Sequence, residues 1–129
     1  MTTDRTPADG ATDFDALERL FHEPNRLAIM SALCAADGGL TFNELKDACV
    51  LTDGNLNRHL KALEEAGAVR VEKTFVGVKP RTTVFLSDRG LTRFREYLDA
   101  LEAVLDRARR TLPERRKAGA VLFGRTVKV

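Results

Sequence analysis

Apolar residues in the central part of the chain change their spacing from that of a helix to that of a strand. Leu56, Leu60 and Leu63 recur at four and three residues, which puts them on one face of a helix. Val69 and Val71 alternate with charged residues, which puts them on one face of a strand. The pattern predicts a helix that leads directly into a β-hairpin.

A shorter helix is predicted just before this one. The hydroxyl of Thr41 can accept from the backbone N–H of Glu44 while the Glu44 carboxylate accepts from the backbone N–H of Thr41, which is the arrangement of a capping box. Phe42, Leu45 and Ala48 then follow at helical spacing. Only a short break separates the two predicted helices.

The second helix is predicted from Asp53 to Ala66, with Thr52 or Asp53 as its N-cap and Gly67 just past its end. Away from the leucine stripe, its outer face and flanks carry polar positions, which are Gly54, Asn55, Asn57, Arg58, Lys61 and Glu65. Arg can pair with both acceptors of a guanine edge, and Asn with the donor and acceptor of an adenine edge. The face suits a DNA major groove, although any soluble amphipathic helix also has a polar outer face.

The predicted hairpin has a basic tip. A matching apolar run from Thr83 to Leu86 lies beyond a loop that contains Gly77, Lys79 and Arg81. With Lys73, these cations could reach phosphates or an adjacent minor groove, which would position the protein without necessarily reading sequence. A solvated hairpin would also carry lysines, so the hairpin indicates DNA binding only together with the helix pair.

A longer helix, from about Asp88 to Arg110, is predicted after the hairpin. Its apolar positions recur at three and four residues and comprise Leu91, Phe94, Leu98, Leu101, Leu105, Ala108 and Leu112. A second apolar stripe near the N-terminus consists of Phe14, Leu17, Leu20 and Phe21. One small core cannot cover so long a face, so we expect a two-fold dimer, with packing of the two stripes inside one chain as the alternative. The expected interface comprises Phe14, Leu17, Phe21, Leu91, Phe94, Leu98, Leu101 and Leu105.

These motifs together resemble the small dimeric winged helix-turn-helix transcriptional regulators related to the ArsR and MarR groups. The resemblance runs from His22 to about Leu105 and includes LTDGNLNRHLKALEEAGAVRVEKTFVGVKPRT, from Leu51 to Thr82. It implies an α+β, mainly α fold, namely a winged helix-turn-helix with a two-stranded β-wing and long flanking dimerisation helices. It also implies that Asp53 to Ala66 is the recognition helix and that Gly77 to Thr82 is the wing tip. The residues expected to contact DNA are Thr52, Asp53, Gly54, Asn55, Asn57, Arg58, Lys61, Lys73, Lys79 and Arg81.

Length and composition suit one small domain. With 129 residues and 43% hydrophobic content, the chain can form a core, and no apolar run approaches membrane length. The first residues show no signal peptide, so we expect a disordered leader over residues 1–12, the winged domain over residues 13–112, and a cytoplasmic protein. Residues 107–129 hold eight Lys or Arg against one Glu, and residues 113–129 are expected to form a basic tail.

Enzyme and metal chemistry are not expected. Neither His22 nor His59 belongs to a recognisable catalytic set, and no phosphate-binding glycine motif is present, so no cofactor is expected. Cys34 and Cys49 lie on predicted helices whose spacing turns them inward, and they fit no zinc motif. Cys49 with Cys34 or His59 could in principle bind zinc or form a redox pair, but we expect two buried, reduced thiols.

The sequence therefore predicts a homodimeric, sequence-specific DNA-binding regulator with no enzymatic activity, which represses by blocking promoter access. The alternative is a winged helix that serves as a protein-interaction or dimerisation module without a specific DNA target. Glu64, Glu65 and Glu72 favour this alternative because they weaken the positive field around the predicted recognition helix and wing. A small-molecule effector is left unassigned.

Overall fold

The computed structural model describes residues 18–113, which form four helices and one antiparallel sheet. The elements are α1 (Pro24–Cys34), β1 (Leu40–Thr41), α2 (Phe42–Cys49), α3 (Asp53–Glu65), β2 (Val69–Val76), β3 (Lys79–Leu86) and α4 (Asp88–Thr111). This confirms the predicted mainly helical winged helix-turn-helix. The predicted leader, Phe14, Leu17 and the predicted tail beyond Pro113 lie outside the described residues.

Local capping explains where the helix pair begins. The backbone N–H of Glu44 donates to the Thr41 hydroxyl over 3.1 Å, and the N–H of Thr41 donates to the Glu44 carboxylate over 2.8 Å, so the predicted capping box is confirmed. Thr52 caps α3, because its hydroxyl accepts from the N–H of Asn55 over 3.2 Å. Asp53, the other predicted cap, is the first residue of the helix.

The end of α3 is a Schellman turn. The N–H of Gly67 donates to the carbonyl of Glu64, and that of Ala68 donates to the carbonyl of Leu63, each over 2.9 Å. Gly67 has a φ of +77°, a left-handed conformation that glycine adopts without a steric cost. The turn leads directly into β2.

The strands of the wing are longer than predicted. They pair continuously from Val69 opposite Leu86 to Val76 opposite Lys79, which leaves only Gly77 and Val78 in the turn. The wing tip predicted from residue 77 to residue 82 is therefore wrong. Its last four residues belong to β3, because a two-residue turn with Gly77 at a φ of +66° is enough to reverse the chain.

A third strand that the sequence did not predict completes the sheet. β1 pairs with β3 through Leu40 opposite Val84 and Thr41 opposite Thr83, and the strand order is β1-β3-β2. Since β1 covers only this part of β3, Pro80 lies where no partner on that side needs its missing N–H.

The N-terminal segment packs against α4 inside the same chain. The rings of Phe21 and Phe94 meet edge to face with centroids 5.3 Å apart, and Tyr97 lies 5.8 Å from Phe21. Glu18 and Arg93 form an ion pair over 2.7 Å beside these rings. Phe21 and Phe94 were predicted at the dimer interface, and this was wrong, because they are 0% and 2% exposed within a single subunit.

The first turn of α4 packs closely against the turn that ends α3 and is hydrogen-bonded to it. The hydroxyl of Ser87 accepts from the N–H of Gly90 over 2.8 Å and lies 2.6 Å from the carbonyl oxygen of Gly67. A side chain at Gly90 would place its Cβ only 1.9 Å from the carbonyl oxygen of Ala68. Arg93 donates to the carbonyl of Ala66 over 2.8 Å. We call this set of contacts the α3–α4 junction.

His59 lies in the core on the inner side of α3 and is 2% exposed. Its Nδ1 lies 3.4 Å from the guanidinium of Arg26 and 3.9 Å from the carboxylate of Glu23. Because Arg can only donate, Nδ1 is the acceptor, and the neutral ring carries its proton on Nε2, which has no partner among the described residues. Burial lowers the pKa of His59 against the opposing effect of Glu23, and Arg58 and Arg26 lower it further.

We expect Gly90→Ala to destabilise the fold by about 1 to 3 kcal/mol, because the added methyl group overlaps the Ala68 backbone at the α3–α4 junction. Gly54→Ala is the matched control. It also adds a methyl group to a helix, but nothing lies within 4 Å of its Cβ, so the higher helix propensity of Ala should stabilise by up to about 1 kcal/mol. Urea unfolding measures both. A Gly90→Ala variant as stable as Gly54→Ala would contradict the close contact.

We expect the free energy of unfolding to fall as the pH decreases through about 6.5, the pKa of an unshifted histidine. Unfolded His59 takes up a proton there, whereas the folded chain resists protonation, so stability present above that pH is lost below it. Urea unfolding of the parent and of His59→Gln at about pH 7.5 and about pH 5.5 isolates the effect, because His22 is present in both. An equal loss in parent and variant would show that His59 does not carry it.

Candidate nucleic-acid interface

The ten residues predicted to contact DNA are all exposed, and they occupy the outer side of α3 and the wing. On α3, the Arg58 guanidinium donates to the side-chain carbonyl of Asn55 over 3.3 Å. Asn57 and Lys61 lie on the same helix, and all four side chains are exposed to solvent. The face can therefore present amide and guanidinium donors to a groove without moving the core.

Asp53, one of the residues predicted to contact DNA, also makes a contact within the protein. Its carboxylate forms an ion pair with Lys46 of α2 over 2.9 Å, and this hydrogen bond, together with the charge of Asp53, raises the pKa of Lys46. Asp53 is the acidic residue in the first turn of α3, where an uncompensated negative charge would repel phosphates. The pair neutralises it. Lys46 is a residue that sequence reasoning missed, because the two charges meet only when α2 and α3 pack.

An open groove separates α3 from the wing. Its walls carry two lysines, Lys61 of α3 and Lys73 of β2, and two acidic residues, Glu64 and Glu65, at the C-terminal end of α3. The other residues that line the groove are Phe42, Asn57, Leu60, Val71 and Thr82. The positive charge therefore lies on both sides of the groove, with the acidic residues confined to one end of α3.

The basic residues of the wing lie on both faces of its hairpin. The register places Lys73 opposite Thr82, on the face that lines the groove with α3. Arg81 is opposite Thr74 and Lys79 is opposite Val76, which puts them on the other face by strand alternation. There they line a second cleft with the start of α2. The sequence did not separate the faces, because Lys79 and Arg81 were assigned to a loop.

The apolar stripe of α4 divides into two edges. Phe94 and Tyr97 face the core, and Leu101 packs against it. The other edge is exposed and comprises Leu91 (38%), Leu98 (42%), Leu105 (47%) and Leu112 (66%), which recur at every seventh residue. A spacing of three and four residues predicted the stripe but did not reveal which edge the subunit itself covers.

Neither Cys34 nor Cys49 lines the groove between α3 and the wing or the cleft beside α2. Cys34 is exposed, which corrects the prediction that it points inward, whereas Cys49 is half-buried and packs against the core. Burial raises the pKa of the Cys49 thiol, and partial desolvation by neighbouring atoms raises that of Cys34 against the opposing charge of Arg95. Within residues 18–113, no three His, Cys, Asp or Glu side chains gather as metal ligands would. None of the helices described is long and apolar enough to cross a membrane.

Two sequence similarities connect this chain with known proteins. Residues 25–105 match the family model described as the winged helix DNA-binding domain. An uncharacterized protein of Methanocaldococcus jannaschii is 34% identical over 80 residues, which span 62% of this chain and 86% of that protein.

Two solved structures extend the comparison. A transcriptional regulator homologue from Pyrococcus horikoshii OT3 aligns with a TM-score of 0.68 and 30% identity over 74% of this chain and 95% of that one. A MarR family transcriptional regulator from Silicibacter pomeroyi shares the fold with a TM-score of 0.55 and 23% identity, over 81% of this chain and 68% of that one. The chain belongs to the winged helix DNA-binding domain family, whose fold is that of MarR-like transcriptional regulators.

Proposed function

We propose that the protein is a homodimeric, sequence-specific DNA-binding regulator that represses transcription by occupying promoter DNA. The observation that carries this proposal is the exposed pair of Asn55 and Arg58 on α3. The pair lies near the N-terminus of the helix, where Lys46 neutralises the charge of Asp53. Amide and guanidinium groups can read adenine and guanine edges in a major groove. Gly54, with open space around it, lets the helix approach the base edges closely.

The distribution of charge supports DNA as the partner over a protein. Glu72 is paired with Arg70 over 2.9 Å, so it offsets the charge of Arg70 and is not paired with Lys73, Lys79 or Arg81. Glu64 and Glu65 lie in the last turn of α3, away from the half that carries Asn55 and Arg58. The acidic residues that favoured a protein-interaction module are thus paired or distant from the proposed base-reading residues.

The exposed leucines of α4 support a second copy of the chain as the other partner. A row of leucines at every seventh residue is the pattern of a helix that packs along a partner helix. Because Leu91 and Leu98 already lose part of their surface to the subunit, the free edge is narrow and suits one helix. A two-fold pair would present its recognition helices about 34 Å apart, as two successive major grooves require.

The proposal assigns no enzymatic role to any residue and needs no cofactor. It places the protein in the cytoplasm with the DNA it binds. Repression follows from steric occupation of a promoter, which needs only tight and selective binding.

We expect Arg58→Ala to relax discrimination at one base pair by about 1 to 3 kcal/mol, because a bidentate contact to a guanine is lost. Lys79→Ala should instead weaken binding to all sequences alike and reduce the salt dependence by about one phosphate contact. Affinities for a selected duplex, its single-base variants and a random duplex, each at several salt concentrations, separate the two effects. Uniform loss from both substitutions would remove the base-reading assignment. A parent that binds no duplex at low salt would favour the protein-interaction alternative.

We expect Leu98→Glu and Leu105→Glu to give folded monomers that bind a palindromic site weakly. Each lost leucine contact costs about 2 to 5 kcal/mol in a packed interface, and a two-fold axis repeats the loss. Leu101, another residue of the predicted interface, is a poorer choice because it packs against its own core. Ala103→Glu is the matched control, since Ala103 is exposed on another side of α4. Light scattering measures the mass, and an unchanged dimer in both leucine variants would place the interface elsewhere.

A further inference from the structure

The tip of the wing is apolar and exposed to solvent. Phe75 is 73% exposed, Val76 is 52% exposed, and Val78 in the turn is 93% exposed. Side chains of this size are worth about 1.5 to 3 kcal/mol each when fully buried. Three such side chains at the end of a hairpin form an apolar surface that a binding partner could bury. We call these three residues the wing-tip wedge.

The wedge lies beyond the reach of the subunit's own core. The last pair of wing residues packed on the core is Val71 opposite Val84. From Val71 to Val76 the strand advances roughly 17 Å at the usual rise per residue. The hairpin therefore carries its apolar end away from the domain and narrows to a two-residue turn.

Cations surround the wedge on both faces of the hairpin. Lys73 is two residues before Phe75 on one face, and Lys79 is opposite Val76 on the other, with Arg81 one step further from the tip on that face. Cations can contact the phosphates that border a groove of duplex DNA, and an apolar side chain between them can insert between two stacked bases. Proteins that insert apolar side chains in this way do so from the minor groove.

The wedge is also continuous with the face proposed to read DNA. The groove between α3 and the wing carries Asn57 and Lys61 on one wall and Lys73 on the other, so a duplex seated on α3 passes beside the wing. This inference rests on the proposed function and adds a second mode of recognition to it.

We infer that Phe75, Val76 and Val78 form an apolar wedge that enters the minor groove beside the half-site read by α3 and partly unstacks a base step there. Such insertion offsets the cost of unstacking by burying apolar surface. Pyrimidine–purine steps such as TA and CA deform most easily. The wing thereby selects sequence by deformability at a position that α3 does not touch.

The test uses the full chain and a duplex selected from a random pool, with the fluorescent adenine analogue 2-aminopurine placed in turn at each step flanking the half-sites. The parent should raise the fluorescence at one step in each flank, because unstacking relieves quenching. The variant Phe75→Thr with Val78→Thr should abolish the rise, weaken binding by roughly tenfold or more, and lose the preference for TA or CA at that step. Both positions are exposed, so its urea midpoint should match that of the parent.

The outcomes separate the wedge from the proposed function. Selective binding by the parent without a fluorescence rise, or a variant that binds and unstacks as the parent does, would overturn the wedge and leave the DNA-binding proposal standing. A parent that binds no duplex would overturn both. Lys79→Ala is the matched wing control, and it should weaken binding yet keep the fluorescence rise in the complex that forms. Wedge-dependent binding to vesicles of phosphatidylcholine and phosphatidylserine, with no change at DNA steps, would assign the tip to a membrane surface instead.

Discussion

The α3–α4 junction is the constraint on which the arrangement of this molecule depends. The backbone of Ala68 lies so close to Gly90 that no side chain fits between them, and Ser87 and Arg93 bond the carbonyl oxygens at the end of α3. These contacts are short and directional, so they fix the angle between the proposed recognition helix and the proposed dimer helix. In a two-fold dimer that angle would set the separation and tilt of the two recognition helices.

The core holds the other side of α3 in place. Leu56, Leu60 and Leu63 are buried with residues from α1, α2 and the sheet, so the inner face of α3 has little freedom to rotate. The outer face can then keep polar groups in position without any bound partner. Pre-organisation of this kind reduces the ordering cost of binding, which favours a rigid reader of a groove over a surface that folds on contact.

Short-range patterns predicted the parts of this structure that depend on neighbours in sequence. The capping box at Thr41, the leucine stripe of α3 and the glycine at its end are each set within one or two helical turns. The outer face of α3 followed from the same periodicity. For these elements, the helical period and the capping chemistry were sufficient.

Features that depend on packing between elements were missed or misassigned. The Lys46–Asp53 pair joins two helices across a turn, and the pairing of Leu40 with Val84 joins residues far apart in sequence. Apolar residues recur with the same spacing along both edges of the α4 stripe. The sequence therefore did not show that Phe94 faces inward while Leu98 stays exposed. Lysine and arginine near Gly77 suggested a loop, although the two-residue turn let both strands continue.

The central claim is that two copies of this chain place α3 in successive major grooves of one duplex. Dimethyl sulfate protection of guanine N7 on a selected duplex tests it most directly, because the reagent reports major-groove contacts at single bases. Two protected patches, related by a two-fold axis and centred about 10 to 10.5 base pairs apart, are expected. A single protected patch, or binding that leaves every guanine N7 reactive on a site that contains guanine, would contradict the account.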